Sequence, residues 1–337
     1  MNKKPIVARL NARTFHMSKE EKQILSQINA IIIEIEGDTD EEILSKIADA
    51  DAIMIISAYM HGPVLKKMKN LKVISRLGIG VDKIDVEEAT RLGIVVTNLP
   101  DFCTDEVADH TMALILSVAR QVKYYENLMR NGIMPDEFKD IHPLKVQKLG
   151  IIGFGRIGKA VAKRAKSFGM KILVFDPAVS SEVAQKEGVE KVDFETILKD
   201  SDYLSLLCPL TASSREMIKL NELKKMKPTS VLINTARGEL VNENDLVKAL
   251  KTKIIRYAAI DVFGSINLFN KKGFSLTHPF FSLENILLTP HVSAVSEEAM
   301  TKVREGGATA VVDVLSGKTP AHIVNPEVLS KIKSDRE

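Results

Sequence analysis

The stretch KLGIIGFGRIGKAVAKRAKSFGMKILVFD, residues 148–176, constrains the fold more than any other part of this 337-residue chain. A short apolar run leads into Gly153, Gly155 and Gly158, the G-x-G-x-x-G spacing. An amphipathic helical stretch follows, and then a second apolar run that ends in Asp176. Each glycine has its own reason. Gly153 permits the tight strand-to-helix turn, Gly155 lets the backbone approach a pyrophosphate, and Gly158 allows helix and strand to pack closely. The helix opening at Arg156 and Ile157 adds N–H donors and positive potential. Asp176 follows Gly158 by 18 residues, where an acid accepts hydrogen bonds from the adenosine ribose and repels a 2'-phosphate. Pro177, Ala178 and Val179 offer no cation to hold that phosphate, so the pattern predicts NAD rather than NADP.

This unit opens a longer series. After KLGIIGF come KILVFD, YLSLLCPL, SVLINTA, RYAAIDVF and NILLTP, six strands with helical stretches between them. That order predicts a doubly wound dinucleotide-binding sheet. The N-terminal third alternates in the same way. PIVARL, AIIIEIEG, DAIMIIS, LKVISRLGIG and GIVVTNL read as buried strands, and SKEEKQILSQIN, DTDEEILSKIAD and GPVLKKMKN as helices. Strand and helix in alternation imply a second parallel sheet with right-handed crossovers, so the chain is α/β with two doubly wound domains. A cleft between two such domains is the usual place for a small-molecule site. TDEVADHTMALILSVARQVKYYENLMRNG reads as one long helix, capped by Thr104 and stopped by Gly132, apolar enough to need burial on several faces. Near the C-terminus, SEEAMTKVREGGATAVVDVLSG predicts an amphipathic helix and HIVNPEVL an extended segment.

The totals exclude several classes. With 47 Lys and Arg against 44 Asp and Glu, the formal charge is only +3 and the signs are interspersed. This predicts no nucleic-acid or membrane partner. Cys103 and Cys208 lie far apart with no metal or redox spacing, which suits a reduced, cytoplasmic compartment. No apolar h-region follows the basic start, and no run approaches membrane-spanning length.

Several further stretches, RLGIGVDKIDVEEATRLGIVVTN, DFCTDEVADHT, NTARGELVNENDLVKAL and ILLTPH, resemble the D-isomer-specific 2-hydroxyacid dehydrogenases. DFCTDEVADHTMALIL and HIVNPEVL are most similar to bacterial members of the C-terminal-binding-protein-like branch. The resemblance implies a flavodoxin-like substrate domain from residues 1–103 and 293–337, with a Rossmann NAD-binding domain, 104–292, inserted between them. It also implies a small 2-oxo or D-2-hydroxy acid as substrate, and a homodimer formed through the long helix.

Reduction of a 2-oxo acid needs a cation to hold the carboxylate and polarise the ketone, and a proton donor beside the carbonyl. Arg237, in NTARG after an apolar strand, can grip a carboxylate with two parallel bonds. His291, in LLTPHVSA after another strand, is the side chain best suited to proton transfer near neutral pH. Both match the family's catalytic positions. By the same resemblance, Cys208, Thr235, Ala236 and Asp261 line the nicotinamide and ribose, and the backbone amides of Gly78, Ile79 and Gly80 help hold the substrate carboxylate. Tyr59 and Met60 fall at the expected pocket, where SAYMHG carries no Arg or Lys; this disfavours a phosphorylated substrate. His16, His61, His110, His142, His278 and His322 are expected to be structural or surface residues, with His61 nearest the expected cleft.

One departure stands out. The family places a Glu five residues beyond the Asp that ends the strand, paired with the catalytic His; here that position is Ile266, and nothing from Val262 to Leu283 is acidic. The His–Glu pair is therefore expected to be missing, and Ala294 replaces the aromatic that the branch carries just after the His. Two readings stay open on this basis. The first is a working NAD-dependent reductase whose His291 is oriented by another group. The second is an NAD(H)-binding sensor or interaction protein with little turnover. Arg237 and His291 favour the enzyme.

Overall fold

The computed structural model describes residues 3–138, 140–266 and 276–334. The chain forms two compact units, one built from Met1–Phe102 and Ser296–Glu337 and the other mainly from the segment between them.

In the first unit, β1 (Ile6–Arg9), β2 (Ile31–Glu34), β3 (Ala52–Ile55), β4 (Val73–Arg76) and β5 (Val95–Thr97) form a parallel sheet in the order β2-β1-β3-β4-β5. This is the flavodoxin-like order. Helices α1 (Lys19–Ser26), α2 (Asp40–Ile47), α3 (Gly62–Leu65) and α4 (Val86–Arg91) connect the strands. α1, α2 and α4 start where a side-chain oxygen can satisfy an orphan N–H: Ser18 accepts from Glu21, Thr39 from Glu42 and Asp85 from Glu88. At Ser18 the Glu21 carboxylate bonds back, completing a capping box.

The second unit starts with α5 (Thr104–Ala119) and α6 (Val122–Arg130). It continues through β6 (Lys148–Ile152), α7 (Arg156–Ser167), β7 (Lys171–Phe175), α8 (Ser181–Lys186), β8 (Glu190–Lys191), α9 (Phe194–Asp200) and β9 (Tyr203–Leu206). After these come α10 (Leu220–Lys225), β10 (Val231–Asn234), α11 (Glu243–Lys251), β11 (Tyr257–Ile260) and β12 (Ile286–Leu288). Its seven strands are all parallel in the order β12-β11-β10-β9-β6-β7-β8, the Rossmann order extended by one strand. β6, β9 and β10 are buried along almost their whole length, as expected of a sheet covered on both faces.

The chain then returns to the first unit as α12 (Glu297–Leu315), capped by Ser296. At Gly307 the helix backbone runs close over β4, and the Ser75 hydroxyl donates to its carbonyl at 3.0 Å. A Cβ there would lie 2.1 Å from Leu77. Buried Asn325 fastens the tail to the sheet edge, accepting from Val96 N at 2.8 Å and donating to Ile94 O at 3.0 Å. No described helix is long and apolar enough to cross a membrane.

Three elements differ from the sequence reading. The single long helix is two helices, because Gln121 adopts a left-handed conformation (φ +51°) that breaks the ladder; Cys103, not Thr104, is the N-cap. The second sheet has a seventh strand, β8, whose two exposed polar residues carry no apolar signal. The extended C-terminal segment turns into a helix, α13 (Val328–Ser334), after Pro326 and Glu327.

Candidate active site

Every proposed cofactor and catalytic residue of the second unit follows the carboxyl end of a strand, where doubly wound sheets bind ligands. At β6 the three glycines do three different things. Gly153 has φ +96°, and a Cβ on it would lie 2.5 Å from Cys208 N after β9. A Cβ on Gly158 would lie 2.3 Å from the Gly153 carbonyl oxygen. Around Gly155, the N-cap of α7, a Cβ would meet nothing within 4 Å. Two glycines are thus needed for packing, and the third leaves its backbone open at a helix N-terminus followed by exposed Arg156 and half-buried Ile157. That is the arrangement a pyrophosphate requires.

Asp176, just after β7, accepts from Phe154 N at 2.7 Å on one oxygen and from Ala178 N at 2.8 Å on the other. The carboxylate is fixed against the glycine turn, and each oxygen keeps a lone pair for a ribose hydroxyl. Cys208 is half-buried against Met217 (Sγ–Sδ 3.8 Å), and burial pushes its thiol up to about 11, so it packs as a small neutral group. These residues fit a dinucleotide.

After β10, buried Asn234 folds the next turn. Its side-chain oxygen accepts from Ala236 N at 3.1 Å and its amide donates to Arg237 O at 2.8 Å. Arg237 is half-buried, with Nη1 donating to Ala236 O at 2.7 Å. A Cβ on Gly238 would lie 2.1 Å from Gly264 N, so glycine lets this loop rest directly on the backbone that follows β11. Thr235 Oγ1 lies 2.9 Å from Thr111 Oγ1 of α5.

His291 sits in the turn after β12 at φ +56°, a conformation that costs a non-glycine residue about 1 kcal/mol or more. Asp261, after β11 and fully buried, holds that turn. Its carboxylate accepts from Thr289 Oγ1 at 2.6 Å, Val292 N at 3.0 Å and Ser293 N at 3.0 Å. Its backbone carbonyl accepts from His291 N at 2.8 Å. Asp261 therefore builds the histidine turn, a task that the sequence reading did not give it. His110, expected to be structural or at the surface, has its Nε2 3.1 Å from Thr289 Oγ1 and 3.7 Å from Asp261 Oδ1, a place beside this turn that the sequence reading did not give it. In DFCTDEVADHT nothing distinguishes it from any polar residue on a half-buried helix.

His278, expected to be structural or at the surface, lies 3.4 Å from Glu243 Oε2 and packs edge-on against Phe280. Glu243 also accepts from Gly264 N at 2.8 Å. Much of the acid-free stretch behind the expected loss of the His–Glu pair, residues 267–275, lies outside the described residues.

In the first unit the loop after β4 contains Gly78 (φ +144°), over which the Arg76 guanidinium packs. Gly78 N is already committed to Arg76 O at 2.9 Å, so among the described residues only the Ile79 and Gly80 amides of this trio are left without a partner. Tyr59 is half exposed, stacked on His61 with ring centroids 5.3 Å apart, and Lys83 Nζ lies 4.9 Å from its ring centre. Met60 is fully buried in the core, so it lines no pocket. The cation missing from SAYMHG is supplied beside Tyr59 by Lys83, which removes that argument against a phosphorylated substrate.

Residues 112–293 match the family model for the NAD-binding domain of D-isomer-specific 2-hydroxyacid dehydrogenases. A glyoxylate reductase of Thermococcus litoralis is 40% identical over 296 residues, covering 86% of this chain and 87% of that protein. A D-3-phosphoglycerate dehydrogenase of Methanocaldococcus jannaschii is 39% identical over 319 residues, 92% of this chain and 59% of that protein. Among solved structures, the D-lactate dehydrogenase of Aquifex aeolicus with NAD and lactic acid superposes with a TM-score of 0.83 at 25% identity, covering 94% of this chain and 98% of that one.

Proposed function

The chain belongs to the D-isomer-specific 2-hydroxyacid dehydrogenase family and is an NAD-dependent oxidoreductase; from that premise we propose that it reduces a small 2-oxo acid of the glyoxylate class. Arg237 holds the substrate carboxylate and polarises the ketone, and His291 gives its proton to the carbonyl oxygen. Bound NADH supplies the hydride to C2. In the reverse direction neutral His291 takes the hydroxyl proton of a D-2-hydroxy acid.

The observation that carries this reading is the histidine turn. A left-handed non-glycine residue, held by a fully buried carboxylate with three donors, is a costly way to place a side chain unless its direction matters. The glyoxylate class is supported by the first-named relative. In the same reading, Gly153, Gly155, Arg156, Ile157, Gly158 and Asp176 hold the adenosine diphosphate, Asp176 favouring NADH over NADPH. Cys208, Thr235, Ala236 and Asp261 line the nicotinamide side. The Ile79 and Gly80 amides, with Tyr59, serve the substrate.

The molecule is proposed to work as a cytoplasmic homodimer. α6 buries none of its residues, and Tyr124, Met129, Ile133, Met134 and Phe138 are exposed along it and just beyond, an apolar surface that a second copy would cover. Sedimentation of the purified protein tests this; a monomer at micromolar concentration contradicts it. The reaction itself is tested by NADH oxidation across a panel of 2-oxo acids. Turnover should be highest with glyoxylate and other short, uncharged side chains. Turnover of none of them would end the proposal.

A further inference from the structure

α5 touches both catalytic loops with consecutive residues, His110 and Thr111, each through a hydrogen bond of fixed direction. Asp261 accepts from two backbone amides and from Thr289, whose single hydroxyl proton is therefore committed to the carboxylate at 2.6 Å. Thr289 Oγ1 can then only accept from His110 Nε2 at 3.1 Å, so that nitrogen must carry a proton. The same N–H lies 3.7 Å from the Asp261 carboxylate, where it also meets negative charge. Next to it, the Thr111 hydroxyl donates to Val107 O at 2.7 Å. Its contact with Thr235, at 2.9 Å, must then run from the Thr235 hydroxyl to Thr111. Thr235 is left with lone pairs alone, so it can serve the nicotinamide side only as an acceptor, for a carboxamide N–H or a ribose hydroxyl. These contacts join positions 179 and 124 residues apart.

We propose that His110 and Thr111 are positioning residues for the reaction. His110, as its Nε2–H tautomer or as imidazolium, holds Thr289 and Asp261 and through them the turn that presents His291. Thr111 holds Thr235 and through it the loop that presents Arg237. The inference rests on the roles proposed above for His291 and Arg237. It divides the two catalytic functions between two neighbouring side chains. A disturbed His110 should misplace the proton donor and lower kcat. A disturbed Thr111 should misplace the carboxylate grip and raise KM for the 2-oxo acid.

The test uses the full-length protein with four substitutions: His110→Leu, His110→Gln, Thr111→Val and Thr111→Ser. His110→Leu fills similar space without a donor, and is expected to lower kcat about tenfold, since a displacement of an ångström costs about a hundredfold. KM and NADH affinity should stay within about twofold. His110→Gln, whose amide nitrogen can replace Nε2–H, should restore most of kcat. Thr111→Val should raise KM several-fold and lower kcat less than His110→Leu does, and Thr111→Ser should reverse both. A second measurement does not depend on turnover. Hydrogen exchange at the Val292 and Ser293 amides, which bond to Asp261, should speed up in His110→Leu and not in His110→Gln.

Unchanged kcat and unchanged exchange in His110→Leu would overturn the proposal. Equal losses in the Leu and Gln variants would do the same, as would a fall in NADH affinity and thermal stability that parallels kcat. An unmodified protein that turns over no 2-oxo acid would instead defeat the functional reading, while the exchange experiment would still decide whether His110 orders the turn.

Discussion

Two turns in the second sheet solve the same problem by opposite means. Both leave a parallel strand with a residue at positive φ: Gly153 after β6 (+96°) and His291 after β12 (+56°). The first turn places a glycine at the positive φ and rests on Cys208 after β9 and on Asp176 after β7. Glycine takes this conformation freely, and the packing against Cys208 only requires that no Cβ be present. The second keeps a side chain where the backbone resists one, and is held by Asp261, Thr289 and His110 from three separate elements. A turn that binds through its backbone can be built from small residues. A turn that must deliver an imidazole has to be held by partners brought together by the fold.

The largest effect expected from this contrast is at His291 itself. Asparagine tolerates left-handed backbone, so His291→Asn should keep the turn and change stability by less than about 1 kcal/mol. It should nonetheless lower kcat by on the order of a thousandfold, because the proton donor is gone. Chemical denaturation and steady-state rates together check this. A large loss of stability with modest loss of rate would make His291 structural.

Gly153→Ala attacks the other turn. Its Cβ would sit 2.5 Å from Cys208 N in a strained conformation. NADH affinity should fall by on the order of a hundredfold, with about 2–3 kcal/mol of stability lost. Retained NADH binding in a fluorescence titration would show that the glycine turn yields more easily than the geometry implies.

Next to that turn, burial raises the Cys208 thiol to about 11. A raised pKa means less thiolate at any pH below it. At pH 8 alkylation of Cys208 should be on the order of a hundredfold slower than that of a free cysteine, and it should accelerate as pH rises towards that value. Mass spectrometry of the labelled peptide reads the rate, and fast labelling at pH 8 would contradict the burial.

The smallest effect is at Asp176. Asp176→Ala should weaken NADH by about tenfold and narrow its advantage over NADPH, since both the ribose acceptor and the charge that opposes a 2'-phosphate are removed. Equal affinities for the two cofactors in the unmodified protein would end the assignment to Asp176.

What could be read from the sequence follows the same division. The glycine turn, its acid and the five strands of the first sheet are local patterns, and the structure has them where the sequence put them. Arg237 and His291 follow apolar strands in the sequence, but only the family resemblance distinguished them from ordinary polar residues. The break at Gln121 and the two-residue strand β8 have no apolar pattern to announce them. The positioning of His291 was not legible at all. His110 and Thr289 are 179 residues apart, and nothing in the sequence around Asp261 shows that its carboxylate also supports the turn. Met60 and Gly78 show the reverse error, residues whose place beside a suspected site hid the fact that one is core and the other's amide is already used.

The central claim, that the chain reduces a small 2-oxo acid gripped by Arg237, is tested most directly by comparing Arg237→Ala with the unmodified protein, measuring kcat/KM for glyoxylate and the Kd of NADH. The account predicts that kcat/KM falls by about a thousandfold or more while the NADH Kd stays within about twofold, with Arg237→Lys recovering only a small part. Retention of most of the activity in Arg237→Ala, or an NADH affinity that falls in step with the rate, would contradict it.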